Sequence, residues 1–183
     1  MQAFAGGVIV LAWTVVLAHN ALRTPAREWP RWVGGMVLVL GIVVAGCAVE
    51  RAGGGPVAVP PAVTYAGVAL AVVGARLHVR ARTALGSAWS AAAPPTSTLV
   101  ATGPYASVRH PLYAALALLA VGTALGHPSI ATLAGTIGLT AGLAIKLRSE
   151  DHALARMHGA QWDDYRARVP SVVPWLRRRG RRR

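Results

Sequence analysis

Acidic residues are scarce in this chain of 183, with six Asp and Glu against nineteen Lys and Arg, and the imbalance leaves a formal charge of +13. Cysteine is nearly absent too. With Cys47 alone, no internal disulfide and no cysteine-based zinc cluster can form, which excludes secreted disulfide scaffolds and zinc modules. Lysine occurs once, at Lys146, and every other basic residue is Arg. These arginines flank apolar runs or collect in the tail rather than interleave with aromatic residues, so the pattern points away from nucleic acid and toward membrane lipids as the counter-charge. Also missing are a Gly-x-Gly-x-x-Gly after a strand, a Walker loop, His-Glu-x-x-His and Gly-x-Ser-x-Gly. A nucleotide-like cofactor would have to be held without a Rossmann sheet.

What the chain does have is apolar length. Hydrophobic residues make up 54%, charged residues 14%, and the mean hydropathy is +0.46, values that describe an integral membrane protein. Asp, Glu, Lys and Arg are missing from 1–22, 32–49, 52–75, 83–108 and 110–145, and a helix needs about 20 apolar residues to cross a bilayer core. The first three stretches suit one span each. Residues 83–108 carry Pro94-Pro95, several Ser and Thr and Gly103, which break apolar periodicity and predict a structured loop. The last run would be about 54 Å long as one helix, so Gly126-His127-Pro128-Ser129 is expected to divide it. The expected fold is therefore all-α and polytopic. Five transmembrane helices lie near 3–19, 33–49, 61–77, 112–126 and 129–147, the last two as a helical hairpin, followed by a C-terminal helical cap.

Arginine placement orients the spans, because basic residues near span ends stay on the cytoplasmic side. The connections after spans one and three carry Arg23, Arg27, Arg31, Arg76, Arg80, Arg82 and Arg109, and the tail carries most of the rest, leaving Arg51 alone on the opposite face. The N-terminus is thus expected outside, with the active site and C-terminus at the cytoplasmic face of a cell membrane. No positive charge precedes the first apolar segment, so it reads as a span and not a cleaved signal. The chain reads as one membrane domain over 1–183: three helices in 1–77, a core in 78–176 and a basic tail in 177–183. Gly122 and Gly126, like Gly138 and Gly142, are spaced for close helix contact.

Polar chemistry collects in two places. The loop ends in Arg109-His110-Pro111, and proline suits the first turn of a helix, so Arg109 and His110 stand at the mouth of span four with Tyr113 just inside. A helix start of this kind can hold a carboxylate or phosphate; Arg109 also suits an interfacial anchor, and His110 a helix cap. The second cluster, Lys146-Leu147-Arg148-Ser149-Glu150-Asp151-His152, lies where span five leaves the membrane. Lys146 and Glu150 share a helix face, which fits an ordinary ion pair, yet adjacent acids at a membrane boundary are costly without a purpose. Beyond them Gly159 is expected to end the helix, and Trp162, Tyr165 and Trp175 to lie at headgroup depth.

Taken in order, Leu99-Val100-x-x-Gly103-Pro104-Tyr105-x-x-x-Arg109-His110-Pro111-x-Tyr113, Glu150-Asp151-x-x-Leu154, Gly159-x-x-Trp162-x-x-Tyr165 and Val169-Pro170-x-x-x-Pro174 resemble the isoprenylcysteine carboxyl methyltransferase family over roughly 80–176. Leu85-Gly86-x-x-Trp89-Ser90 is similar to that family's lead-in to the loop. The resemblance implies an S-adenosylmethionine-dependent methyltransferase. Carried over by position, it implies a cofactor pocket lined by Leu99, Val100, Tyr105, His110, Pro111, Leu112, Tyr113 and Glu150. Lys146 would meet the acceptor, with Arg109 as second candidate, and no metal is implied. A carboxylate acceptor is already nucleophilic and needs only desolvation and orientation, whereas an amine would need a base, for which Glu150, Asp151 or a neutral His could serve. Lys146 stands where the family usually has Arg, Asp151 where it has Glu, and Ser97 and Ala115 where it often has His and Gly. The loss of a bidentate guanidinium bears on the acceptor more than on the cofactor. The expected acceptor is a lipophilic carboxylate. The Arg-His-Pro and acidic pair also resemble phosphatidylethanolamine methyltransferases, an amine-directed alternative. Loop and tail resemble NADPH-dependent membrane sterol reductases as well, although residues 83–108 hold no basic residue for the extra phosphates.

Overall fold

A computed structural model describes residues 2–24, 57–86 and 99–173. The expected second span at 33–49, Trp89-Ser90 and the Pro94-Pro95 loop, Trp175 and the basic tail lie outside the described residues. Within them the chain is helical without strands: α1 Gln2–Arg23, α2 Pro61–Leu85, the single turn α3 Pro104–Ser107, α4 Pro111–Gly126, α5 Ile130–His158 and α6 Ala160–Arg168. Three helices are long and apolar enough to cross a membrane, Phe4–Arg23, Pro61–Leu85 and Ile130–His158, and Pro111–Gly126 is a shorter apolar helix.

Proline and glycine set most of the boundaries. Pro61, Pro104 and Pro111 open α2, α3 and α4 at positions where the missing N–H costs nothing. Ser129 caps α5 reciprocally with Thr132: Ser129 Oγ accepts from the Thr132 amide at 3.2 Å, and the Ser129 amide donates to Thr132 Oγ1 at 3.0 Å. Gly86 and Gly159 stop α2 and α5 with φ of 53° and 50°, a conformation open to glycine. Both long helices continue past the expected spans: α2 runs to Leu85, beyond the span end near 77, because charged residues do not break a helix and the next breaker is Gly86, and α5 runs to His158 and stops at Gly159, where the sequence places its end. At 29 residues α5 is about 44 Å long. That exceeds a core of about 30 Å, so its turns beyond Lys146 project past the apolar stretch.

The closest packing joins α2 to α4. A Cβ at Gly67 would run into the Gly126 amide, and one at Gly122 would meet Ala71 N at 2.5 Å and Gly67 O at 2.6 Å, so the two backbones touch without side chains between them. Gly138 and Gly142, by contrast, meet nothing within 4 Å among the described residues. Ile9, Ala12 and Val16 of α1 pack on Ala71, Ala75 and Leu119, and Trp13 Nε1 donates to Thr123 Oγ1 at 3.0 Å. Near the other end of α1, His78 bonds Asn20 at 3.1 Å. Arg82 is 1% exposed and donates to the carbonyls of Arg23 at 2.6 Å and Gly86 at 3.1 Å. α5 leans on α4 through Thr136 Oγ1, which donates to Ala120 O at 3.0 Å.

Candidate active site

The site grows from three segments. Residues 99–110 carry the loop into α4, the turns of α5 past Lys146 carry the acids, and α6 closes the side. The loop is fixed through its backbone: the amides of Arg109 and His110 donate to Pro170 O at 2.9 Å and Ser171 O at 3.0 Å. α3 places Tyr105 inward, where its carbonyl accepts the Tyr165 hydroxyl at 2.7 Å. Trp162 is 1% exposed and Tyr165 4%, and both pack with Leu154, Leu99 and Val169. They therefore form the hydrophobic centre of the cap, a use that an amphipathic ring serves as readily as an interface.

His110, at the N-cap position of α4, and Tyr113, in its first turn, are three apart, their rings stacked with centroids 5.6 Å apart. Facing them are the adjacent acids of α5. His110 Nε2 lies 2.6 Å from Asp151 Oδ1, and the Tyr113 hydroxyl donates to Glu150 Oε2. The mouth of α4 and the exit of α5 are thus clasped at two points. His110 caps nothing with its side chain; its ring is buried between Tyr113 and the edge of Trp162, 6.4 Å away. Arg109 Nη2 stands 3.7 Å from Asp151 Oδ2, with its guanidinium 5.4 Å from the Trp162 ring centre. Burial holds the Tyr105 phenol above its usual range, and the nearby charge of Glu150 adds to the effect. Burial likewise pushes Tyr165 up to about 12, against a smaller opposing effect of Arg109. Both remain neutral hydrogen-bonding groups.

Of the residues singled out in the sequence, Tyr105, His110 and Pro111 are buried, and Leu99, Val100, Leu112, Tyr113, Glu150 and Arg109 are half-buried. Tyr105, Arg109, His110, Tyr113 and Glu150 meet in one cluster through the contacts above. Lys146 is exposed on α5 and makes no ion pair with Glu150, whose partner is Tyr113. Sequence reasoning gave Asp151 and Trp162 no place in the pocket, and the buried Arg82 counted only as a flanking charge. The adjacency of Asp151 to Glu150 and the Gly159-x-x-Trp162-x-x-Tyr165 pattern were the available signals; nothing local marks Arg82.

Apolar helices long enough to span a bilayer, with a compact polar cluster at one end, define a helical membrane protein. Residues 63–161 match the phospholipid methyltransferase family, more than half of the chain, and the chain belongs to that family, one of the integral membrane methyltransferases that the loop and acid motifs resemble. The nickel-cobalt-cadmium resistance protein NccN of Alcaligenes xylosoxydans xylosoxydans is similar, 41% identical over 83 residues, which are 44% of this chain and 38% of that protein. The chain thus spans well under half the length of this curated relative.

Proposed function

We propose that the chain is an integral membrane methyltransferase that transfers a methyl group from S-adenosylmethionine to a lipophilic acceptor, in the first instance a carboxylate. The observation that carries this reading is the double clasp of His110 to Asp151 and Tyr113 to Glu150, which brings the mouth of α4 and an acid pair together beside the exit of an apolar helix. The side chains present suit such a cofactor: a half-buried carboxylate, an imidazole and two phenols converge where a sulfonium, an ammonium and a carboxylate must be met. When bound, S-adenosylmethionine supplies an electrophilic methyl group.

The chain's own residues then have three tasks. Glu150 offers negative charge to an ammonium, and the first turn of α4 offers backbone donors to an anion. Trp162, Tyr165 and Leu154 keep water from one side, which strengthens every charge interaction within. Lys146, exposed one turn before Glu150, can orient an acceptor carboxylate at the boundary. Arg109, paired with Asp151 and laid over Trp162, frames the site instead. A carboxylate needs no proton removed.

A second acceptor, the amine of a phospholipid, is favoured by the description of the matching family. One experiment separates the two. The full chain in nanodiscs is incubated with methyl-labelled S-adenosylmethionine and a total lipid extract, and the lipid product is treated with mild base. Release of the label as methanol identifies an ester, whereas base-stable label identifies an N-methyl group. No labelled lipid, together with thermal stabilisation by NADPH and none by S-adenosylhomocysteine, would refute methyl transfer in favour of reduction.

A further inference from the structure

We infer that Asp151 is a positioning residue of this site, which fixes His110 as its Nε2–H tautomer and so leaves Nδ1 as an unprotonated acceptor for an N–H of the cofactor. The inference rests on the cofactor reading above and adds a residue to it. Packing already fixes the His110 ring: its amide donates to Ser171 O at 3.0 Å, its carbonyl accepts from the Ala114 amide at 3.0 Å, and the ring lies between Tyr113 and Trp162. For the neutral imidazole only the place of the proton then remains open. A carboxylate accepts hydrogen bonds and cannot donate them, so the 2.6 Å contact with Asp151 Oδ1 requires the proton on Nε2. Arg109 faces the other oxygen, Oδ2, at 3.7 Å, and this cation favours the charged form of the acid.

The geometry also accounts for two acids side by side. Residues 150 and 151 diverge by about 100° around a helix, and they reach partners three apart on α4, Tyr113 and His110. With Glu150 offered to the cofactor's ammonium, Asp151 is left to set the imidazole. It touches neither the cofactor nor the acceptor in this scheme.

The test uses the full chain in nanodiscs with 15N-labelled histidine, the His110 signals being assigned by their loss in H110Q. In the parent chain His110 is expected as a single species with Nε2 protonated and Nδ1 bare. In D151N the amide fits the same space but can either donate or accept, so the tautomer bias disappears, and the affinity for S-adenosylhomocysteine falls about tenfold by calorimetry. D151E restores a single tautomer and most of the affinity. An unchanged Nε2–H tautomer in D151N, or an affinity within about twofold of the parent chain, overturns the proposal. Failure of the parent chain to bind S-adenosylhomocysteine would instead refute the cofactor reading, and the 15N signals would still decide what Asp151 does to His110.

Discussion

Glu150 and Asp151 are one third of all the acid in the chain, and each is committed to a different side chain of the same turn of α4. Such bonds to a charged group are worth about 1.5–3 kcal/mol. His110→Ala and Glu150→Ala are therefore expected to weaken S-adenosylhomocysteine binding by about tenfold to a hundredfold in titration calorimetry. Lys146→Ala should leave that affinity within about twofold and lower turnover about tenfold, because Lys146 stands outside the clasp. Equal losses of cofactor affinity in all three variants would remove the division of roles. Tyr165→Phe strips the buried Tyr105 carbonyl of its donor and should cost about 1–3 kcal/mol in thermal unfolding in detergent. Because folding raises the Tyr165 pKa from 10 to about 12, its neutral form favours the folded state. This contribution is complete below about pH 10 and is lost as the pH rises through about 12. A melt series should consequently show the Tyr165→Phe penalty unchanged from pH 6 to pH 9.

At the scale of elements, the α2–α4 contact depends on glycine in a way that α5 does not. Gly122→Ala would set a Cβ 2.5 Å from Ala71 N and 2.6 Å from Gly67 O, both backbone atoms that move only if a helix moves. Such overpacking typically costs about 1–3 kcal/mol. Gly138→Ala meets nothing within 4 Å among the described residues and should be neutral or slightly stabilising, since alanine is the better helix former. Thermal melts of the two variants in one detergent give the comparison, and equal shifts would contradict it. The long α5 carries the acids beyond the apolar stretch, while the cap, turned back at Gly159, presses Trp162 against His110 and Arg109. Trp162→Ala should consequently loosen both residues and reduce cofactor affinity without direct contact to it.

For the whole molecule, the arginine distribution predicts that the polar cluster faces the cytoplasm. In a Cys47→Ser background, Val57→Cys, at an exposed position before α2, should react with an impermeant maleimide on intact cells. Ala160→Cys, exposed on α6, should react only after permeabilisation. The reverse pattern would put the cluster on the other side and exclude a cytoplasmic cofactor pool. The described fold also holds its far end together: the Val57 amide donates to Pro128 O at 2.7 Å, tying the entrance of α2 to the turn between α4 and α5.

The helices, their starts at Pro61 and Pro111 and their stops at Gly86 and Gly159 follow from local rules. Hydropathy over about 20 residues, a missing amide hydrogen and a φ that favours glycine each act within a few residues of the chain. His110, Tyr113 and Glu150 could be named because their motifs are short and ordered. Which acid would hold which partner and that Arg82 would be buried were decided by contacts between residues 37 to 59 positions apart, and the burial of Trp162 by the packing of the cap on α5 and the loop. Sequence fixed the register of each helix face; the close approach of glycine backbones and the return of the cap determined which faces meet, because burial and hydrogen bonding between distant segments exist only once those segments have packed.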